Sequence, residues 1–122
     1  MTVYFEADVT TIGPDVELML EDNMLILFNE SATDDLKEIS VIHNGTTISE
    51  VIESGDEFVI DGKAYKILFV GSKVNETMND LGHATLQFNG ETESDMPGTV
   101  CLEEGISSDI SEISKIQFRK NS

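Results

Sequence analysis

The sequence predicts a mainly β domain: a small barrel, closed or partly open, of short strands with one or two short helices. Three observations point there. Runs rich in β-branched and aromatic residues recur along the chain, each cut off by Gly, Pro, Asn or Asp. An Asp61-Gly62 pair separates two such runs, the strongest short-range hairpin signal, because both central residues of a type I′ turn need positive φ. Helical spacing is confined to brief stretches. Seven or eight short strands leave a barrel and a sandwich as the architectures to separate.

In chain order, Val3 to Ile12 alternates loosely as a strand and stops at Gly13-Pro14, and Val16 to Leu20 can form one helical turn. Met24-Leu25-Ile26-Leu27-Phe28 is continuously apolar and short, as a strand buried on both faces would be. Ser31 to Lys37 reads as a short helix, with Ser31 or Thr33 as N-cap and acids in its first turn. Ile39 to His43 is a strand closed by Asn44-Gly45, and Thr46 to Ile52 is expected to continue extended. Glu57 to Ile60 and Ala64 to Val70 are the two arms of the Asp61-Gly62 hairpin. Val74, Met78 and Leu81 share a helical face within Lys73 to Leu81, and Gly82 ends it. His83 to Phe88, Thr99 to Leu102 and Lys115 to Arg119 complete the strands, with polar loops between them. No repeat or linker interrupts the pattern, so residues 1–122 read as one domain.

Composition removes several classes of function. With 24 acidic and 7 basic residues the formal net charge is −17. No cationic surface for nucleic acid or for an anionic membrane can be assembled from so few Lys and Arg. Such a field favours solubility and attraction of a basic partner. The single cysteine, Cys101, excludes an internal disulfide and sits in an apolar strand as an inert core thiol. The opening residues carry no basic n-region and no long apolar run, so the cytoplasm is the expected compartment. A nucleophile elbow, a phosphate-binding Gly-rich loop and spacings typical of metal ligands are all missing, and neither a metal nor another cofactor is expected.

Of the two histidines, His43 is the more informative. It ends the apolar Val41-Ile42 strand and precedes Asn44-Gly45-Thr46-Thr47. The backbone N–H groups of a Gly-containing turn can form an anion-binding concavity, and threonine hydroxyls can donate to phosphate oxygens. A neutral imidazole is a competent nucleophile. The same residues also describe a half-buried strand-end histidine with a structural hydrogen bond. His83, after the Gly82 helix stop, either orients His43 or is structural.

Taken together and in order, several segments resemble one family. They are the first strand ending in Ile12-Gly13, the run Met24 to Phe28, Ile42-His43 followed by a glycine, and Val70-Gly71-Ser72. Leu81-Gly82-His83-Ala84-Thr85-Leu86-Gln87-Phe88, Pro97-Gly98-Thr99-Val100 and a closing strand around Phe118 continue the likeness. The sequence resembles the enzyme IIA component of the glucitol/sorbitol class of the phosphoenolpyruvate-dependent sugar phosphotransferase system, over roughly Thr2 to Phe118.

The resemblance implies a phosphoryl carrier. His43 would take the group from the phosphohistidine of a small histidine phosphocarrier protein and pass it to a cysteine of the sugar-specific enzyme IIB. Contact with the membrane would come only through the permease complex. Asn44, Gly45, Thr46 and Thr47, with His83, are the expected phosphate environment, and the imidazole is expected at a solvent-reachable barrel rim. The alternative is a non-catalytic acidic barrel that binds and regulates a basic protein. Barrels with open edges can pair or exchange segments, so a homodimer is compatible with either reading.

Overall fold

A computed structural model describes residues 2–45, 48–106 and 113–120. The strands are β1 (Val3–Ile12), β2 (Met24–Asn29), β3 (Ser40–His43), β4 (Glu57–Ile60), β5 (Lys63–Val70), β6 (Ala84–Gln87), β7 (Thr99–Leu102) and β8 (Lys115–Arg119). The helices are α1 (Val16–Glu21), α2 (Asp34–Ile39) and α3 (Val74–Leu81). The strands close into a barrel in the order β1-β3-β2-β6-β7-β5-β4-β8, which excludes the sandwich. Among the described residues three helices stand where one or two were expected, because the turn at Val16 runs on to Glu21.

Most pairs are antiparallel; β2–β3 and β6–β7 are parallel. A parallel pair needs a crossover rather than a hairpin, and α2 supplies one between β2 and β3. Thr33 caps α2 by accepting the Leu36 N–H at 3.4 Å, and Asp34 and Asp35 sit in its first turn, favourably placed against the helix dipole. The Asp61-Gly62 turn has φ of +46° and +90°, and it joins β4 to β5.

Alternation along the strands sorts side chains between two clusters. Leu25, Leu27 and Val41 enter the main core with Phe58, Ile67, Leu86, Leu102 and Phe118. Phe28 and Ile42 point the other way and pack with Ala32 and Leu36 beneath α2. This is why β2 is apolar from Met24 to Phe28: the barrel takes one face and a helix covers the other. Each such side chain, fully buried, contributes about 1.5–3 kcal/mol.

The segment after His43 departs from expectation. Positions 48–52 form no strand. Instead α3 holds them by side chains: Asn75 receives the Ile52 N–H on Oδ1 at 2.7 Å and donates Nδ2–H to the Ile52 carbonyl at 3.2 Å. One turn further on, Asn79 Oδ1 accepts the Ile48 N–H at 3.2 Å. The amides of a helix thus replace the ladder partners that a strand would have used.

Candidate functional site

His43 is the last residue of β3, and strand parity decides where its ring goes. Val41 faces the barrel interior and Ile42 the α2 side, so His43 turns inward again. Its imidazole meets the Phe5 ring edge-on, with centroids 5.5 Å apart. Parallel pairing sets Asn29, the end of β2, beside His43 in register.

Both ring nitrogens have partners. Gly45 donates its backbone N–H to Nδ1 at 3.0 Å, and Nε2 lies 2.8 Å from the Gly82 carbonyl oxygen. An amide N–H can only donate and a carbonyl can only accept. Nδ1 therefore carries the lone pair and Nε2 the proton, which it donates to Gly82. The expected solvent-reachable imidazole is not what the fold builds: the His43 side chain is 0% exposed. The physical reason is local. Gly45 lies so close over the Phe5 ring that a Cβ there would meet Phe5 Cζ at 2.5 Å, and Gly82 approaches from the other side. Two residues without side chains close over the ring.

Gly82 is the left-handed cap of α3, with φ +59°, and its N–H bonds to the Met78 carbonyl at 3.1 Å. A Cβ at this position would stand 2.6 Å from His43 Cε1 and 3.0 Å from Asn29 Cβ. A helix C-terminus thus delivers a carbonyl to the imidazole. Burial lowers the His43 pKa below the ordinary value of 6.5; the Gly82 carbonyl and the Glu30 carboxylate oppose the shift without cancelling it. The ring is neutral at pH 7.

Beside the ring lies a cleft of about 240 Å³, lined by Asn29, Glu30, Ser31, His43, Asn44 and Gly45. Asn29 Oδ1 accepts the Ser31 N–H at 2.9 Å, and Asn44 Oδ1 accepts the Asp8 N–H at 2.9 Å. With their oxygens so engaged, both amides keep NH₂ donors for other partners. Asn44 also extends the β1–β3 ladder, since its own N–H bonds to the Asp8 carbonyl at 3.1 Å.

His43, Asn44 and Gly45 are thus brought together as the sequence suggested, while Thr46 and Thr47 lie outside the described residues. His83 follows Gly82 in the chain, yet its ring turns elsewhere: Nδ1 donates to the Leu27 carbonyl at 3.1 Å and the ring packs on Phe28 at 4.8 Å. Asn29, Ser31 and Gly82 were not singled out from the sequence as site residues. For Asn29 a signal existed, a polar residue ending an otherwise apolar run; for the Gly82 carbonyl none did. Among the described residues no three His, Cys, Asp or Glu side chains converge as metal ligands, and no helix is long and apolar enough to cross a membrane. Cys101 is buried in β7, and burial pushes its thiol pKa up, as suits an unreactive core residue.

Comparison with known proteins gives a consistent picture. A family model described as the PTS system glucitol/sorbitol-specific IIA component matches residues 4–117. The glucitol/sorbitol-specific EIIA components of Shigella flexneri and Escherichia coli (strain K12) are each 35% identical over 118 residues, covering 97% of this chain and 96% of theirs. Among solved structures, the crystal structure of a PTS system IIA component from Enterococcus faecalis V583 superposes with a TM-score of 0.77 at 28% identity. It covers 93% of this chain and 98% of that one.

Proposed function

Because the chain belongs to the family of glucitol/sorbitol-specific IIA components of the phosphotransferase system, we propose that it relays a phosphoryl group through His43. The donor is the phosphohistidine of the histidine phosphocarrier protein, and the acceptor is the cysteine of the enzyme IIB of the same class. The observation that carries this reading is a neutral imidazole, oriented by two backbone groups, beside a cleft lined with amide donors.

Phosphoryl transfer between such groups needs alignment and hydrogen bonds to the moving oxygens more than it needs covalent help from the protein. Burial supports the chemistry by keeping His43 unprotonated, since only the neutral ring has a lone pair to attack phosphorus. The cover over the ring means that the docked donor has to displace part of it. The Gly45 contact is the candidate for displacement, because it comes from the turn two residues along the chain. The net charge of −17 suits attraction of a basic docking surface on the phosphocarrier.

A second reading has one observation in its favour. With both nitrogens bonded and the ring unexposed, His43 also has the form of a structural histidine in an acidic barrel that binds and regulates a basic partner. One experiment separates the two. Incubation with phosphoenolpyruvate, enzyme I and the phosphocarrier should give an acid-labile phosphate by mass spectrometry, absent from His43→Ala. A wild-type protein that stays unmodified leaves the adaptor.

A further inference from the structure

A cleft that receives a phosphoryl group has to meet the charge on its oxygens, and this one does so without a cation. Among the described residues its lining holds no Lys or Arg, and its one acidic side chain is that of Glu30. Resting on the carrier reading, we propose that Asn29 is a further catalytic residue. Its Nδ2–H donates to an oxygen of the moving phosphoryl group, and Ser31 is the positioning residue that holds the amide for this task.

Strand register puts Asn29 in reach. β2 and β3 run parallel, with Asn29 opposite His43 and Phe28 opposite Ile42. Side chains alternate along a strand, so Asn29 and His43 share one face as Phe28 and Ile42 share the α2 side. Gly82 shows how near the two stand. A Cβ on it would meet both, at 2.6 Å from His43 Cε1 and 3.0 Å from Asn29 Cβ.

Ser31 tells the two ends of the amide apart. Asn29 Oδ1 accepts both the Ser31 N–H, at 2.9 Å, and the Ser31 hydroxyl, which occupies both of its lone pairs. A flipped amide would set its NH₂ against the Ser31 N–H, donor against donor, so one orientation is selected. Nδ2 is then left without a partner among the described residues, on a side chain that lines the cleft. Asn44 lines the same cleft with its own oxygen tied to the Asp8 N–H. Asn29 is half-buried where Asn44 is exposed, so its hydrogen bond is the less screened by water.

The transfer balances with Asn29 as a spectator in covalent terms. The donor is a phosphorylated imidazole protonated on its other nitrogen. Its P–N bond breaks, the electron pair stays with the donor ring, and that ring leaves neutral. The lone pair of the unprotonated His43 nitrogen forms the new P–N bond, the other nitrogen keeps its proton, and His43 takes over the positive charge. Between the two rings, negative charge is spread over three phosphoryl oxygens. A donor fixed beforehand stabilises that charge without reorganisation. Asn29 neither gains nor loses a proton, and the same contact serves onward transfer, when a P–S bond replaces the P–N bond and the electron pair returns to His43.

The test is single-turnover transfer from the phosphorylated carrier, at saturating carrier, to the whole protein and its variants. A donor in an enclosed oxyanion site is worth about 10²–10³ in rate; Asn29 is only half-buried, so Asn29→Ala should slow transfer by about tenfold. Asn29→Asp keeps an oxygen for both Ser31 donors and replaces the NH₂ by an anion. It should unfold at the wild-type urea midpoint yet transfer at least as slowly as Asn29→Ala. A slow Ala variant beside an Asp variant of wild-type rate would make Asn29 a residue that merely holds the turn, and would overturn the proposal. An Ala variant of wild-type rate would overturn it too, whatever Asp does. Ser31→Ala should slow transfer several-fold in the wild type and not at all in Asn29→Ala; an effect that persists there would sink the positioning role. Uptake of phosphate by the wild type with unimpaired variants removes this proposal alone, whereas no uptake by the wild type removes the carrier reading with it.

Discussion

The carbonyl of Gly82 accepts the Nε2–H of His43 at 2.8 Å, and it can do so because Gly82 adopts φ +59° at the end of α3. One glycine thus ends a helix, clears room for an imidazole and sets that ring's tautomer. An L side chain at position 82 would disturb all three.

Gly82→Ala should destabilise the fold and impair the site together. Left-handed backbone costs a residue with Cβ about 1–2 kcal/mol, and the overlap with His43 Cε1 at 2.6 Å adds to this. Urea unfolding should show an unfolding free energy lowered by at least that amount. A shift below about 0.5 kcal/mol, the range of an ordinary surface change, would mean that the ring and the helix end adjust freely.

His43 should titrate below 6.5, because burial is the dominant cause acting on it. A histidine whose pKa falls on folding leaves the unfolded chain binding more protons at mildly acidic pH. Its contribution is therefore fully present above about pH 6.5 and is lost as the pH drops through the lower folded value. Proton NMR of the ring gives the midpoint directly; a value at or above 6.5 would contradict the burial argument. In His43→Gln the stability profile should flatten in that same acidic window.

Asn75→Ala should release the segment that α3 holds in place of a strand. It removes both hydrogen bonds to Ile52, at 2.7 and 3.2 Å, for a loss of about 1–2 kcal/mol. Amide exchange at Ile52 should accelerate well beyond that of Leu27 in the core. Equal protection in variant and wild type would show that other contacts hold 48–52.

The sequence by itself determined whatever depends on near neighbours. Asp61-Gly62 specified a tight hairpin because few other residues accept two successive positive φ angles, and both are observed. The run from Met24 to Phe28 announced a strand covered on both faces, since no half-exposed strand stays apolar throughout. Val74, Met78 and Gly82 marked a helix and its stop, and the turn Asn44-Gly45 placed His43 at a strand end. Beyond Asn44 and Gly45, tertiary structure alone decided what surrounds that histidine. Gly82 lies 39 positions away and Asn29 comes beside His43 only through parallel register, so neither neighbour leaves a local trace. The same holds for positions 48–52, whose extended composition promised a strand until helix amides took the ladder's place. Burial of the imidazole belongs with these, because a ring at a barrel's end is open or closed according to which backbone segments the closed sheet brings over it.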